Sequence, residues 1–104
     1  MKVLHVLDHS LPVHTGYTFR TRNILRQQQA LGWQTVHVTG SKHPEPGPDP
    51  ESADGLLFHR TPKQARLLNA LPVLGQLDVA RGLSRRLDQL IETERPDVLH
   101  AHSP

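Results

Sequence analysis

Cysteine is absent from the 104-residue chain, which excludes disulfide scaffolds, thiolate metal sites and cysteine nucleophiles. Aromatic residues make up only 4% of the sequence, so leucine and valine must fill the core. A chain of this length forms one domain at most, and its nine prolines leave fewer residues for packed elements. The sequence therefore predicts one small domain with an aliphatic core.

Long hydrophobic runs are absent as well. No stretch reaches the roughly 18 apolar residues that a membrane-spanning helix needs. The apolar run at 3–7 is too short for the core of a signal peptide, because Asp8 and His9 end it. We therefore expect a cytoplasmic protein, with peripheral contact at the inner face of the membrane left open.

Neither sign of charge is in large excess, since the formal net charge is +2. Nucleic-acid-binding proteins usually gather basic residues on one face with aromatics between them, and this pattern is missing, so nucleic acid is not an expected partner. Basic residues do gather at Arg20, Arg22 and Arg26. Such a group suits a phosphate-bearing ligand or an anionic membrane surface, and its ordinary interpretation is a solvated helix face.

Apolar runs and breaker residues alternate along the chain in the order of an α/β protein. This order predicts a parallel, Rossmann-like sheet of four strands, arranged 3-2-1-4 and flanked by helices. Gly32 is predicted to be the C′ glycine of the first helix. A proline-rich flexible loop is predicted at 40–54, and Pro72 and Gly75 are expected to interrupt helical structure. The predicted strands are 3–7, 34–39, 55–60 and 97–101, and the predicted helices are 17–31, 63–69 and 77–94.

The fourth predicted strand would lie at an edge of this sheet with one side unpaired. An apolar open edge is a liability in an isolated domain because it can pair with another chain. We therefore expect an incomplete sheet, with the open edge as a surface for dimerisation.

The loop at 8–16 and the helix start behind it are the first candidate site. In doubly wound sheets, ligands bind outside the carboxyl ends of strands at the point where strand order reverses, here between the first and fourth strands. Gly16 would let a ligand approach the backbone, and the helix N-terminus attracts phosphate. Neither a dinucleotide fingerprint nor a P-loop is present. A simple turn glycine is the alternative interpretation of Gly16.

His100 and His102 are the second candidate, because residues two apart on a strand point to the same face. A metal site needs a third ligand, which His5, His9 or His14 could supply. Without ligands at diagnostic spacing, we expect no metal. His102, nearer the strand tip, is the better functional candidate, whereas His100 has the alternative of a buried, hydrogen-bonded residue.

Each predicted strand contains one histidine, and this regularity suggests no mechanism by itself. The four are His5, His37, His59 and His100. Asp8, His9 and Ser10 do not form a triad, because adjacent residues of an extended segment point in different directions.

Several segments carry a family resemblance. The opening MKVLHVLDHSLP at 1–12 and the following HTGYTFRTR at 14–22 closely resemble the start of family-4 (group 1) GT-B glycosyltransferases. Within that family, they look most like the subgroup associated with the exosortase/PEP-CTERM system of Gram-negative bacteria. LGWQTVHVT at 31–39 is similar to the family's passage into the second strand, and RPDVLHAHSP at 95–104 is similar to its fourth-strand motif.

The resemblance implies that residues 1–104 are the N-terminal, acceptor-side Rossmann-like domain of a GT-B enzyme, in truncated form. It implies a retaining transfer from a nucleotide-diphospho-sugar to a polysaccharide or lipid-linked acceptor, with no metal or other cofactor. The family's Gly-Gly loop, which approaches the donor phosphates, is matched by Thr15 and Gly16. His102 matches a histidine that faces the cleft, and we place His14 and Arg20 with it on the acceptor side.

In this family, a C-terminal domain binds the nucleotide and supplies an E-x7-E motif that the 104 residues do not contain. Donor binding and stabilisation of the departing diphosphate would then be missing. We therefore expect no transfer by this chain alone. The alternative is a stand-alone Rossmann-like binding or interaction module without catalysis.

Overall fold

A computed structural model of the chain describes residues 1–40, 43, 48–62 and 72–102, with the backbone alone at 72–79. The described residues contain both strands and helices in the order of an α/β fold, as the sequence predicts. The elements are β1 (Lys2–Leu7), α1 (Gly16–Ala30), β2 (Gln34–Thr39), β3 (Glu51–Ala53), β4 (Leu56–His59), α2 (Pro72–Glu94) and β5 (Val98–Ala101). The short helix predicted at 63–69 lies outside the described residues.

The strands form one sheet in the order β3-β4-β2-β1-β5. β1 pairs in parallel with β2 and β5, and β2 pairs in parallel with β4. For the four predicted strands this is the predicted 3-2-1-4 order. The prediction was wrong in omitting β3, which lies within the predicted loop 40–54 and pairs antiparallel with β4.

A two-residue turn makes the additional strand possible. Asp54 and Gly55 connect β3 to β4, and both have positive φ angles, 53° and 75°. This is the backbone of a type I′ hairpin turn, for which Asp-Gly is a favoured pair. The prolines that precede β3 indicate a loop in the sequence, but they do not prevent three residues from pairing at the sheet edge.

α1 is bounded by clear sequence signals at both ends. Thr15 is its N-cap and forms a reciprocal capping box with Thr18. At the other end, Gly32 has a φ of 83°, and the N–H groups of Gly32 and Trp33 donate to the carbonyls of Gln29 and Gln28. This is a Schellman motif, so the predicted C′ role of Gly32 is confirmed.

The start of α2 differs from the prediction. The helix was predicted at 77–94, with Pro72 and Gly75 as interruptions, yet it spans Pro72–Glu94. Proline is tolerated in the first turn of a helix, because its missing N–H would have no intrahelical partner there. A glycine inside a long helix costs only about 1 kcal/mol relative to alanine, which the rest of α2 can offset.

The helices pack on opposite faces of the sheet, and side chains of β1 alternate between them. Leu7 belongs to the cluster that includes Leu25 of α1, whereas Leu4 packs with Leu90 of α2. β1 is therefore buried on both faces, as predicted for a central parallel strand.

β5 lies at the opposite edge of the sheet from β3, and all four of its side chains are exposed. Val98 and Leu99 retain 46% and 50% of their accessible surface. Within the part of the chain that the structure describes, the predicted open, apolar edge is therefore present. Dimerisation through it stays a prediction.

Neither α1 nor α2, the two helices of the described residues, is both long enough and apolar enough to cross a bilayer.

Candidate functional site

A row of rings crosses the α1 face of the sheet at one register position. Phe58 on β4 pairs with His37 on β2, which pairs with His5 on β1, which pairs with His100 on β5. The ring centroids are separated by 5.3, 6.1 and 5.1 Å along this row. Three of the four strand histidines are therefore neighbours in space.

The fourth strand histidine, His59, lies one position further along and pairs with Val38. Its side chain therefore points to the other face, where Nδ1 lies 3.4 Å from the Arg86 guanidinium of α2.

His102 follows β5 directly, and its ring lies next to the row, beside the rings of His5 and His100. Its backbone N–H donates to the carbonyl of Val6 at 2.9 Å, and its ring stacks on that of His100 with centroids 4.0 Å apart. The predicted shared face of the two histidines is therefore confirmed. His100 is exposed, so the alternative interpretation of this histidine as a buried, hydrogen-bonded residue was wrong.

Gln28 of α1 fixes the protons in this cluster. Its Oε1 lies 2.7 Å from Nε2 of His5, and an amide oxygen can only accept, so His5 carries its proton on Nε2. Nδ1 of His5 then accepts from the Nε2–H of His102 at 2.8 Å. In this tautomer, Nδ1 of His102 is a hydrogen-bond acceptor.

Both histidines of this hydrogen bond are held neutral. Burial lowers the pKa of His5, and the nearby His100 lowers it further. Burial, His100, His5 and Arg20 together lower the pKa of His102 to about 4. At neutral pH, His5 and His102 therefore present uncharged imidazoles with defined tautomers.

The loop between β1 and α1 is held by Arg60, whose side chain is almost fully buried. Its guanidinium donates to Ser10 Oγ at 2.6 Å and to the carbonyl of Leu11 at 3.0 Å. It also donates to Thr39 Oγ1 at 3.2 Å and pairs with Glu51 Oε1 at 2.7 Å. Arg60 thus ties the site loop to β2 and β3. A single arginine at the end of an apolar strand was the only sequence signal for this role.

Thr15 and Gly16, the predicted phosphate loop, form the start of α1. Oγ1 of Thr15 accepts from the Thr18 N–H at 3.1 Å and lies 3.1 Å from Nε2 of His9, so this hydroxyl is engaged in capping. Gly16 is exposed, its φ is not in the left-handed region, and a Cβ added to it would meet nothing within 4 Å. Neither close packing nor backbone conformation therefore requires a glycine at position 16.

Replacing Thr15 with alanine is expected to destabilise the domain by about 1 kcal/mol, because the first turn of α1 loses its cap. Urea unfolding of the two proteins measures this difference. Thr15→Ser keeps the hydroxyl, so its free energy of unfolding should lie within ~0.5 kcal/mol of that of the native chain. Equal losses in both variants would contradict the capping role.

The two remaining predicted site residues, Arg20 and His14, have different neighbours. Arg20 lies over the Tyr17 ring at 5.4 Å and is near enough to His102 to lower its pKa. His14 is exposed and lies against Phe19, with ring centroids 5.4 Å apart.

The three arginines of α1 do not form one basic patch. Arg22 and Arg26 both pair with Asp54, at 3.6 and 3.0 Å, whereas Arg20 is directed to Tyr17. Membrane contact through these arginines stays a prediction.

Comparison with known proteins assigns the chain to a family. The family described as "Glycosyl transferase 4-like domain" matches residues 15–104, from the cap of α1 to the segment that contains His102. No curated protein and no solved structure matches the chain. The matched region holds Thr15, Gly16, Arg20 and His102 and spans most of the sequence. The chain therefore belongs to the glycosyl transferase 4-like domain family.

Proposed function

We propose that this domain is the N-terminal, acceptor-side half of a retaining GT-B glycosyltransferase. The enzyme would move a sugar from a nucleotide-diphospho-sugar to a polysaccharide or lipid-linked acceptor, in the cytoplasm at the inner face of the membrane. The family match over residues 15–104 is the observation that carries this proposal. The segments at 1–12 and 95–104 further favour the exosortase-associated subgroup.

The start of α1 is the proposed contact for the donor's phosphates. A helix N-terminus presents unpaired N–H groups and a partial positive charge, and α1 has no acidic side chain in its first turn. Because Gly16 is exposed and lacks a side chain, an anion can approach the backbone there. Thr15 supports this contact indirectly, by holding the first turn in place.

His102 and Arg20 are the proposed acceptor-side residues. The neutral ring of His102 can accept a hydrogen bond from a sugar hydroxyl through Nδ1, while Gln28 and His5 hold the ring in place. Arg20 adds a positive charge nearby. The nucleotide sugar is a substrate in this scheme, and no other small molecule is required.

The 104 residues alone are proposed not to catalyse transfer. Breaking the bond to the donor requires electrostatic stabilisation of the departing diphosphate, and stabilisation of this kind usually accounts for more of the rate enhancement than any other effect. In this proposal, the α1 N-terminus and Arg20 are the groups of the candidate site that would stabilise the diphosphate, and they are not sufficient for catalysis. Release of nucleoside diphosphate from a nucleotide sugar by the purified chain would contradict this part of the proposal.

Gly16→Ala tests the phosphate contact. The added Cβ should weaken binding of inorganic pyrophosphate about tenfold, or ~1.4 kcal/mol, while leaving folding intact because the site around Gly16 is open. Isothermal titration calorimetry at low ionic strength measures the affinity.

The matched control is Gly82→Ala in α2, where the new Cβ would make only an ordinary contact, 3.5 Å from Thr61 Cγ2. The control should bind pyrophosphate like the native chain. Equal affinities in all three proteins would rule out a phosphate contact at Gly16.

A further inference from the structure

We propose that His5, His100 and His102 form a binding site for one divalent transition-metal ion of the zinc type. Each of the three side chains offers a ring nitrogen, and these atoms all lie within 4.8 Å of one another. The site goes beyond the glycosyltransferase function and departs from the expectation, drawn from the sequence, that the chain holds no metal.

The backbone places the three ligands independently of their side chains. His5 and His100 are register partners across the parallel β1–β5 pair, so their Cβ atoms leave the sheet side by side on one face. His102 returns to the same face two residues later, and the hydrogen bond from its N–H to Val6 fixes it there. Two neighbouring strands thus bring three histidine side chains together on one face of the sheet.

Gln28 supplies the outer contact that metal-binding histidines usually have. It accepts the Nε2–H of the fully buried His5, and this orients the lone pair of Nδ1 toward His100 and His102. A histidine that donates its other ring N–H to a fixed oxygen is held in the tautomer and orientation required of a ligand.

Metal binding would replace one hydrogen bond of the cluster. Nδ1 of His5 and Nε2 of His102 are 2.8 Å apart, and two ligand atoms on a tetrahedral zinc ion are about 3.3 Å apart, so a small ring shift suffices. His102 would pass its Nε2 proton to water and regain one on Nδ1. Its Nε2 lone pair then binds the ion with no net release of protons.

The surroundings select for a particular class of ion. Imidazole nitrogens suit zinc, nickel and copper, whereas magnesium and calcium prefer oxygen ligands. Arg20 opposes the ion electrostatically, so the site depends on all three nitrogens. A fourth position stays open to water or to a ligand.

Calorimetric titration of the whole chain with zinc chloride at pH 7.5 tests the site. We expect one equivalent to bind with a dissociation constant of roughly 1–10 µM, and no binding of magnesium at the same concentrations. His100→Ala should weaken zinc binding at least tenfold without disturbing the fold, because the His100 side chain is exposed.

The control is His14→Ala, which removes another exposed histidine that lies against Phe19, and it should bind zinc like the native chain. Three results would overturn the proposal: no zinc binding below millimolar concentrations, equal losses in the two variants, or magnesium binding as well as zinc. The pyrophosphate titration is independent of this experiment, so the two proposals can fail separately.

Discussion

Acidification from pH 7 to pH 4.5 is expected to remove about 2 kcal/mol of folding stability through His37 alone. The pKa of this histidine is lowered from 6.5 to about 4, first by burial and then by the neighbouring His5 and His59. Above pH 6.5, His37 is neutral in both states. Between pH 6.5 and about 4 the unfolded chain binds a proton that the folded chain does not, so stability falls as the pH falls.

The environment of His37 explains why it resists protonation. The side chain is only 3% exposed, and its Nδ1–H donates to the carbonyl of Leu57 at 2.8 Å. Its Nε2 accepts from the hydroxyl of Thr35 at 2.7 Å, and that hydroxyl in turn accepts from Gln29 Nε2 at 2.9 Å. Both ring nitrogens are therefore used by the neutral form.

Urea unfolding at several pH values between 7 and 4.5 measures this effect. His37→Gln cannot titrate in this range, so its stability should fall about 2 kcal/mol less than that of the native chain. Some slope should remain, because the pKa values of His5, His59 and His102 are also lowered. His14→Ala is the control and should keep the native slope. An unchanged slope in His37→Gln would show that His37 does not cause the acid sensitivity.

Replacing Arg60 with methionine is expected to destabilise the domain by about 3 kcal/mol, the lower end of the loss seen when one partner of a buried ion pair is removed, because Arg60 is buried and Glu51 is partly buried. Methionine fills much of the space but leaves the carboxylate of Glu51 without its partner. Ser10, Thr39 and the carbonyl of Leu11 would also lose a hydrogen bond. This is a large part of the 5–15 kcal/mol that stabilises a typical domain.

Two further variants show whether the loss arises from the ion pair. Glu51→Leu combined with Arg60→Met should be more stable than Arg60→Met alone, because no partly buried carboxylate is then left without a partner. Glu51→Gln alone should cost less than Arg60→Met, since Arg60 keeps its other acceptors. Urea unfolding measures all of them. A loss below about 1 kcal/mol in Arg60→Met would contradict the account of Arg60 as the anchor of the site loop.

Most of the sheet could be predicted from the sequence because its strands are marked by local patterns. The apolar run of β1, the glycine after α1 and the segment before β5 each define an element without reference to distant residues. β3 was missed since a three-residue strand has too little pattern of its own. Its formation depends on the Asp54–Gly55 turn and on pairing with β4. The start of α2 was missed because Pro72 acts as a helix start, not as an interruption.

The site was only partly predictable for a related reason. Gly16 and His102 could be identified by motif and by position at strand ends. The row of histidines requires the register between β1, β2 and β5, which is a property of the folded sheet. Gln28 lies 23 residues from its partner His5, and Arg60 lies 50 residues from Ser10. Contacts at such separations leave no local signature. Thr15 is a case in which a local signal was present but was interpreted differently. Its match to the family's phosphate loop was noted, and its role as the N-cap of α1 was not predicted.

We propose that the start of α1 and His102 line the same half of a donor–acceptor cleft. An NMR titration of the isotopically labelled chain with a nucleoside-diphosphate sugar tests this most directly. We expect weak, millimolar binding, with the largest shifts at the amides of Gly16 and Tyr17 and at the ring of His102. Shifts confined to other parts of the chain, or none at those three positions at about 20 mM ligand, would contradict the claim.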